Sequence, residues 1–475
     1  MTQAPQRRMV FPGTRNSATI YDTDTLGIAS GSAALLDKAA RYADAGHLEA
    51  PLTDDELAAL HRVHDALDRL EAPSPLTNDP AAVTRLNVGN TYHCNMGCTY
   101  CYNELDIKDR KGSEVPAGMS LETARATVDA LIAQSGTERT LSMIFIGGEP
   151  LLERPVLVET IDYARERAAA HGKRMNVSVY TNGTMMNPAV IRWADENEVS
   201  LVVSLDGPPV LNTRRVYLTS GAPTSAAVLR NMRRLVRDST QDILRVRAVA
   251  TEGANLVALH KYFLDLGFNE IHVQPMYDEH GIDTVSEEDS IGLLEWYREN
   301  LLAGTVLSVL PFEGFLERLM WRGKAVASWY PCSAGRSALG VGPDGKVYPC
   351  HHFLEETDFE LGDVRKGLPI VEVRKPFFQR VDEREPCRSC WARHACGGEC
   401  YHRAHAAGAG YTGVLPQTCR SRKSMIGLTI ELFADLAQHR PDVLRRVVMK
   451  DYSRPEPNWA AYDYPDLSPY LAAPA

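Results

Sequence analysis

The stretch RLNVGNTYHCNMGCTYCY, residues 85–102, decides the fold. Its first residues are β-prone and end in Asn-Val-Gly-Asn. The loop that follows carries Cys94, Cys98 and Cys101 in a C-x3-C-x2-C spacing. Three thiolates so close together suit one face of an iron–sulfur cubane and leave the fourth iron without a protein ligand. A zinc site would want a fourth Cys or His nearby. His93 adjoins Cys94 directly, where chelation of the same metal is awkward.

Outward from this loop, residues 84–276 alternate strand and helix six times. The pattern predicts strands at Arg85–Val88, Leu141–Ile146, Asn176–Tyr180, Leu201–Leu205, Leu244–Ala250 and Glu270–Gln274. Helical patterns lie between them, among them 120–134, 155–171 and 255–267. Repeated βα units imply parallel strands with helices outside, because parallel neighbours need crossovers. Six units predict an α/β fold built as a partial (β/α)6 barrel rather than a closed eightfold one. Its chemistry belongs at the C-terminal ends of the strands.

The rest of the 475 residues divides around this core. Residues 1–72 form a small α+β unit, with β-prone Arg8–Phe11 and Ala18–Tyr21 and a helical pattern from near Ser32. Thr53-x-x-Glu56 reads as a capping box before a stripe of Leu57, Leu60, Leu67 and Leu70. His61 and His64 lie one turn apart there and read as solvated surface histidines rather than a metal pair. A Pro-rich linker is expected at 71–80, giving boundaries of 73–83 for the linker and 84–300 for the core. Residues 301–331 are a helical bridge, 332–420 a Cys-rich domain of short hairpins and loops, and 421–475 a helix (Met425–His439) with an extended tail.

Lys and Arg total 51 against 61 Asp and Glu, a net charge of −10, which argues against nucleic acid or an anionic membrane as partner. No apolar run is long enough to span a bilayer, and the N-terminus lacks the apolar segment of a secretory signal. The expected compartment is therefore the reducing cytoplasm. There the ten cysteines are expected to bind metal or do redox chemistry rather than form disulfides.

The three-cysteine loop after a first barrel strand resembles the radical S-adenosylmethionine (SAM) superfamily, and further landmarks agree. The second strand ends in Gly147-Gly148-Glu149-Pro150, similar to the family's GGEP element, which lines the site of the SAM amino group. Tyr100 holds the aromatic position that lies near adenine in the family. Asn182 at the end of the third strand, and Ser204 and Asp206 at the end of the fourth, resemble polar ends that contact SAM ribose or carboxylate. Arg247 on the fifth strand resembles an arginine that reaches the same ligand. The resemblance implies that SAM chelates the open iron, and that one electron from the cluster yields a 5′-deoxyadenosyl radical that abstracts a substrate hydrogen.

The other seven cysteines are Cys332, Cys350 in a G-x4-C element, Cys387-x2-Cys390-x5-Cys396-x3-Cys400, and Cys419. In isolation C-x2-C-x5-C also suits a zinc ribbon. The full order resembles the SPASM extension of peptide-modifying radical SAM enzymes, which carries auxiliary clusters. That resemblance implies three [4Fe-4S] clusters in all. Cys387, Cys390, Cys396 and Cys419 match the ligands of the second auxiliary cluster, and Cys332, Cys350 and Cys400 match three ligands of the first. The chain has no cysteine left for an eighth ligand. An open iron that binds a substrate thiolate and a purely electron-transferring cluster capped by His or water are both compatible with that count. His351, His352, His394, His402 and His405 lie among these cysteines and read mainly as hydrogen-bonding or solvated groups. Gly340-Val-Gly342-Pro-Asp-Gly345 fits a dinucleotide fingerprint in letters only, since it opens no helix.

In sulfatase-maturing relatives an aspartate proton acceptor follows the G-x4-C cysteine. Here His351 stands in its place and is the candidate acceptor. The segment CHHFLEETDFELGDVRKG (350–367) instead resembles maturases that form peptide thioether cross-links, such as those of the quinohemoprotein amine dehydrogenase small subunit, which join Cys sulfur to Asp or Glu carbons. The N-terminal unit resembles a winged peptide-recognition element, where a leader peptide adds a strand to a sheet edge; a scaffold role is the alternative. The expected partners are a substrate peptide or small Cys-rich subunit and an electron donor of the flavodoxin or ferredoxin type. The competing readings are a radical dehydrogenase of Ser or Cys side chains and, outside enzymes, a zinc- or cluster-binding scaffold or electron-transfer protein.

Overall fold

The computed structural model describes residues 8–12, 17–36, 53–71, 81–101, 116–251, 253–277, 283–322, 328–354 and 356–462. The linker expected at 71–80, apart from Glu71, and the tail beyond 462 lie outside these residues, as does Tyr102. The chain divides into two compact units. One gathers residues 1–76, 277–332 and 379–452, and the other gathers 77–276, 333–378 and 453–475.

In the first unit, β1 (Arg8–Pro12), β2 (Ser17–Asp22) and β3 (Ile28–Ser32) form an antiparallel sheet in that order, with Val10 opposite Ile20 and Ile20 opposite Ala29. The third strand is not apparent in the sequence: Ile-Ala-Ser-Gly-Ser has weak β propensity, and its pairing with β2 makes it a strand. The helix Asp54–Asp68 begins with the expected capping box, each of Thr53 and Glu56 bonding the other's backbone. Its Leu67 joins Ala18, Ile20 and Leu36 in a small core, whereas Leu57 is 38% exposed, so the leucine stripe is only partly buried. The His64 side chain is outside the described set. Arg8 is buried and pairs with Asp22 at 3.2 Å and Asp68 at 2.7 Å, which ties strand to helix. Phe11 and Tyr21 pack on Trp391, their ring centroids 5.5 and 6.3 Å from its own. The helix expected from Met425 starts at Pro416, so Cys419 sits in its first turn. Proline is favoured there because its missing N–H would be unpaired in any case, and the polar CRSRKS that follows hides the start from a hydrophobicity pattern.

In the second unit, β4 (Arg85–Thr91), β5 (Thr140–Gly147), β6 (Arg174–Thr181), β7 (Val199–Ser204), β8 (Arg245–Ala250) and β9 (Glu270–Pro275) lie parallel and adjacent in chain order. The six strands expected from the sequence are these six. The sheet is open, as a partial barrel requires, and it continues past β4 through parallel β10 (Ala338–Val341), then antiparallel β11 (Lys346–Tyr348) and β12 (Gly362–Asp363). The GxGxxG-like letters therefore form the β10–β11 hairpin and open no helix.

Alternation within β5 fixes which face is core. Leu141, Met143 and Phe145 are buried, each worth about 1.5–3 kcal/mol relative to exposure. The helix Leu121–Gln134, capped by Ser120 accepting from the Thr123 N–H, buries Ala124, Val128 and Leu131 and packs against Arg154–Ala170, where Asp129 accepts from Tyr163 and Arg167, each at 2.9 Å. Among the described residues no helix is long and apolar enough to cross a membrane.

Candidate functional site

The cysteine loop after β4 is held from beneath by backbone hydrogen bonds. The Gly148 N–H donates to the Thr91 carbonyl at 2.9 Å, and the Glu149 N–H donates to that of His93 at 2.8 Å. Both glycines are steric requirements. A Cβ on Gly147, whose φ is +135°, would collide with the Thr91 carbonyl oxygen; one on Gly148 would collide with that of His93 and lie 2.8 Å from that of Tyr92. The Gly-Gly pair therefore lets the end of β5 pass directly under the loop that carries Cys94.

Glu149 is fully buried and joins two strand ends. Its carboxylate accepts from the Thr181 hydroxyl at 2.9 Å, the Asn182 N–H at 2.7 Å and the Leu151 N–H at 3.1 Å. Burial pushes its pKa up to about 7, against the lowering effect of those donors. Asn182 in turn donates to Asn95 Oδ1 at 2.9 Å and reaches Cys94 Sγ at 3.7 Å, while the Met96 N–H reaches the same sulfur at 3.4 Å. Further along, the loop is fastened to residues 214–218: the Gly97 N–H donates to the Val216 carbonyl, and the Leu218 N–H to that of Asn95.

Above these strand ends sits a charged group that spacing alone does not reveal. Tyr100 donates to Asp206, and Arg215, 5% exposed, donates to the Tyr100 hydroxyl at 3.3 Å and to the Ser204 carbonyl at 3.0 Å. Asp206 also accepts from the Val249 N–H at 3.1 Å, so β7 and β8 meet on it. Burial alone would lower the Arg215 pKa, yet Asp206, Tyr100 and Cys98 hold it above the ordinary guanidinium value. Arg247, by contrast, pairs with Glu270 at 3.2 Å beside the Arg245–Glu270 pair at 3.0 Å. Nothing in the sequence marks Arg215, which lies seven residues beyond Pro208 in the loop after a barrel strand.

The sulfurs are close enough that Cys101 raises the pKa of both Cys94 and Cys98, and Cys94 that of Cys98. Burial leads and the neighbouring thiols add to it, pushing Cys98 up to about 12 despite Arg215 and raising Cys94 as well. Thiols so disposed stay protonated until a metal displaces the protons, so binding and deprotonation are coupled. Arg215 Nε is buried with no hydrogen-bond partner among the described residues, leaving a donor for an anionic ligand. These features fit a cluster and a ligand with a carboxylate.

In the first unit, Cys387, Cys390, Cys396 and Cys419 line one cavity of about 220 Å³ together with Arg393, Glu399, Arg422 and Lys423. Among the described residues no three His, Cys, Asp or Glu side chains suit a single metal ion. Four thiols lining one cavity are a ligand set that suits a four-cysteine iron–sulfur cluster. Cys332 and Cys400 also belong to this unit, and Cys350 belongs to the second. His351 and His352 follow Cys350 in a short 3-10 turn, their ring centroids 4.2 Å apart. His394 is bonded to the Ser328 carbonyl at 3.3 Å and His402 to Tyr277 at 3.4 Å, in keeping with hydrogen-bonding roles.

Two families match the chain: the Radical SAM superfamily over residues 91–246, and SPASM, an iron–sulfur cluster-binding domain, over 332–391. A serine-type anaerobic sulfatase-maturating enzyme of Klebsiella aerogenes is 25% identical over 330 residues, covering 66% of this chain and 78% of the relative. A cysteine-type enzyme of Clostridium perfringens is 22% identical over 323 residues, covering 65% and 85%. The solved structure of native anSMEcpe with bound AdoMet shares the fold, with a TM-score of 0.59 at 23% identity over 74% of this chain and 99% of that one. Another structure of anSMEcpe holds AdoMet and the Cp18Cys peptide.

Proposed function

We propose that this chain, which carries a radical SAM domain and a SPASM domain, is a maturase that forms thioether cross-links in a peptide or small protein, joining Cys sulfur to Asp or Glu side-chain carbons. The observation that carries the radical reading is the three-cysteine loop seated on Gly147, Gly148 and Glu149 at the C-terminal strand ends. In this reading Cys94, Cys98 and Cys101 hold a cluster, and SAM lies over the strand ends. When bound, the cluster and SAM together supply the radical that removes a substrate hydrogen.

The chain's own residues do the positioning. Asn182 and the Met96 N–H bond the Cys94 sulfur, which favours the thiolate. Asp206, Tyr100 and Arg215 offer an acceptor, an aromatic face and a cation for the ribose, adenine and carboxylate of SAM. Gly147, Gly148 and Ser204 complete the wall with backbone and hydroxyl groups. Cys387, Cys390, Cys396 and Cys419 hold one auxiliary cluster, and Cys332, Cys350 and Cys400 are assigned to another.

Support for the thioether step comes from the 350–367 segment and from His351 in place of the aspartate that sulfatase-maturing relatives use. The curated relatives favour a second reading, radical oxidation of a Ser or Cys side chain to an aldehyde. Mass spectrometry of a Cys-rich peptide treated with reconstituted enzyme decides between them. The thioether reading predicts loss of two hydrogens and one free thiol per cross-link, with no carbonyl. A product that reacts with a hydrazide probe would establish the second reading instead.

A further inference from the structure

The four-cysteine cavity of the first unit is surrounded by arginines to a degree that its ligands alone do not require. Four successive carbonyls, from Ala395 to Gly398, are each bonded by a guanidinium. Arg318 donates to Ala395 at 2.7 Å and Cys396 at 3.1 Å, Arg384 to Gly397 at 3.3 Å, and Arg422 to Gly398 at 2.6 Å. Arg422 also reaches the Cys396 sulfur at 3.9 Å and pairs with Glu399 at 3.1 Å. Gly397 and Gly398 take φ of 77° and 102°, left-handed values that favour glycine in this turn.

One of these groups is costly as it stands. Arg384 is 2% exposed, and its Nε and Nη1 have no hydrogen-bond partner among the described residues. A buried cation without a counter-ion is strongly destabilising, so such a group marks a place where negative charge belongs. Among the described residues the carboxylate lining this cavity, Glu399, is already engaged by Arg422 and leaves Oε2 unpartnered.

We propose that Arg318, Arg384 and Arg422 are positioning residues that hold the turn of Cys396 and raise the reduction potential of the cluster bound by Cys387, Cys390, Cys396 and Cys419. The inference rests on the cluster assignment made above. A cluster held by four thiolates is anionic, and reduction adds one more negative charge in the same place. Fixed cations in a poorly solvated setting stabilise the reduced form more than the oxidised form, and net charge and hydrogen bonds to sulfur are the levers that set such potentials. Arg422 supplies both, and Arg384 supplies charge together with two unused donors.

The test is a redox titration of the reconstituted full-length chain, following the signal that Cys387→Ala removes. Arg384→Gln and Arg422→Gln are each expected to lower the reduced-to-oxidised ratio about tenfold at a fixed solution potential, equivalent to about 59 mV for a one-electron couple, with iron content unchanged. Glu399→Gln removes the opposing carboxylate with little change of shape, and should move the ratio the other way. That variant still decides the matter if the arginine variants fail to assemble. A signal that titrates identically in all folded variants overturns the role of the arginines alone, as does a fall in the ratio for Glu399→Gln. A wild-type chain with no signal that Cys387→Ala removes overturns the cluster assignment and this inference with it.

Discussion

The two cysteine sites are built on opposite plans. The Cys94–Cys101 loop rests on the ends of parallel strands and is gripped by backbone groups, with one buried arginine, Arg215, balanced by Asp206. The Cys387–Cys419 cavity is assembled from short turns and the first turn of a long helix, and arginines surround it. On the proposed function, the first site admits a cofactor over an exact backbone floor, and the second stores an electron among fixed positive charges.

The sharpest way to break this contrast is to remove one sulfur from each site. Cys98→Ala should reduce SAM cleavage to background, whereas Cys387→Ala should retain measurable release of 5′-deoxyadenosine and lose modified peptide. Equal loss of cleavage in both variants would show that the sites are not functionally separate.

A smaller effect compares two glycines. Gly148→Ala meets backbone carbonyls on the cysteine loop and has nowhere to go, so it should cost about 3 kcal/mol or displace the loop and its iron. Gly398→Ala meets the side-chain end of Arg384 rather than backbone and should cost less, about 1–2 kcal/mol, mostly from its positive φ. Denaturant midpoints of the two variants check the order.

Arg215→Lys sharpens the contrast within the first site. Lysine keeps the charge but cannot serve Tyr100 and the Ser204 carbonyl together, so SAM cleavage should fall about tenfold to a hundredfold with folding intact.

Smallest is the effect of pH through Glu149. Its carboxyl pKa, about 7 in the folded chain against 4.5 ordinarily, means that the folded state holds the proton more tightly. The stability it contributes is full below the unfolded value and is lost as pH rises through 7. Cluster-free protein should therefore show a denaturant midpoint that falls between pH 5 and pH 8, and Glu149→Gln should flatten that slope. A wild-type midpoint that rises across this window would contradict the assignment.

The parallel core was legible because each strand is a short apolar run and each helix an amphipathic one, separated by turns. The cysteine loop, the Gly-Gly-Glu element and the polar strand ends were legible because each sits at a strand terminus, where topology brings distant segments together. Arg215 was not, since nothing in its local sequence separates a buried arginine from a solvated one. Nor were Arg318 and Arg384, which meet the Cys396 turn from separate parts of the chain. The strand Ile28–Ser32 and the first turn at Pro416 were also hidden, because tertiary pairing in one case and a polar helix start in the other outweigh local propensity.

The central claim, that Cys94, Cys98 and Cys101 support radical cleavage of SAM, is tested most directly by anaerobic reconstitution with iron and sulfide, followed by reductant and SAM. The expected result is a brown protein with about 12 iron atoms per chain if all three clusters are cubanes, releasing 5′-deoxyadenosine. A colourless protein holding stoichiometric zinc and releasing none would contradict it.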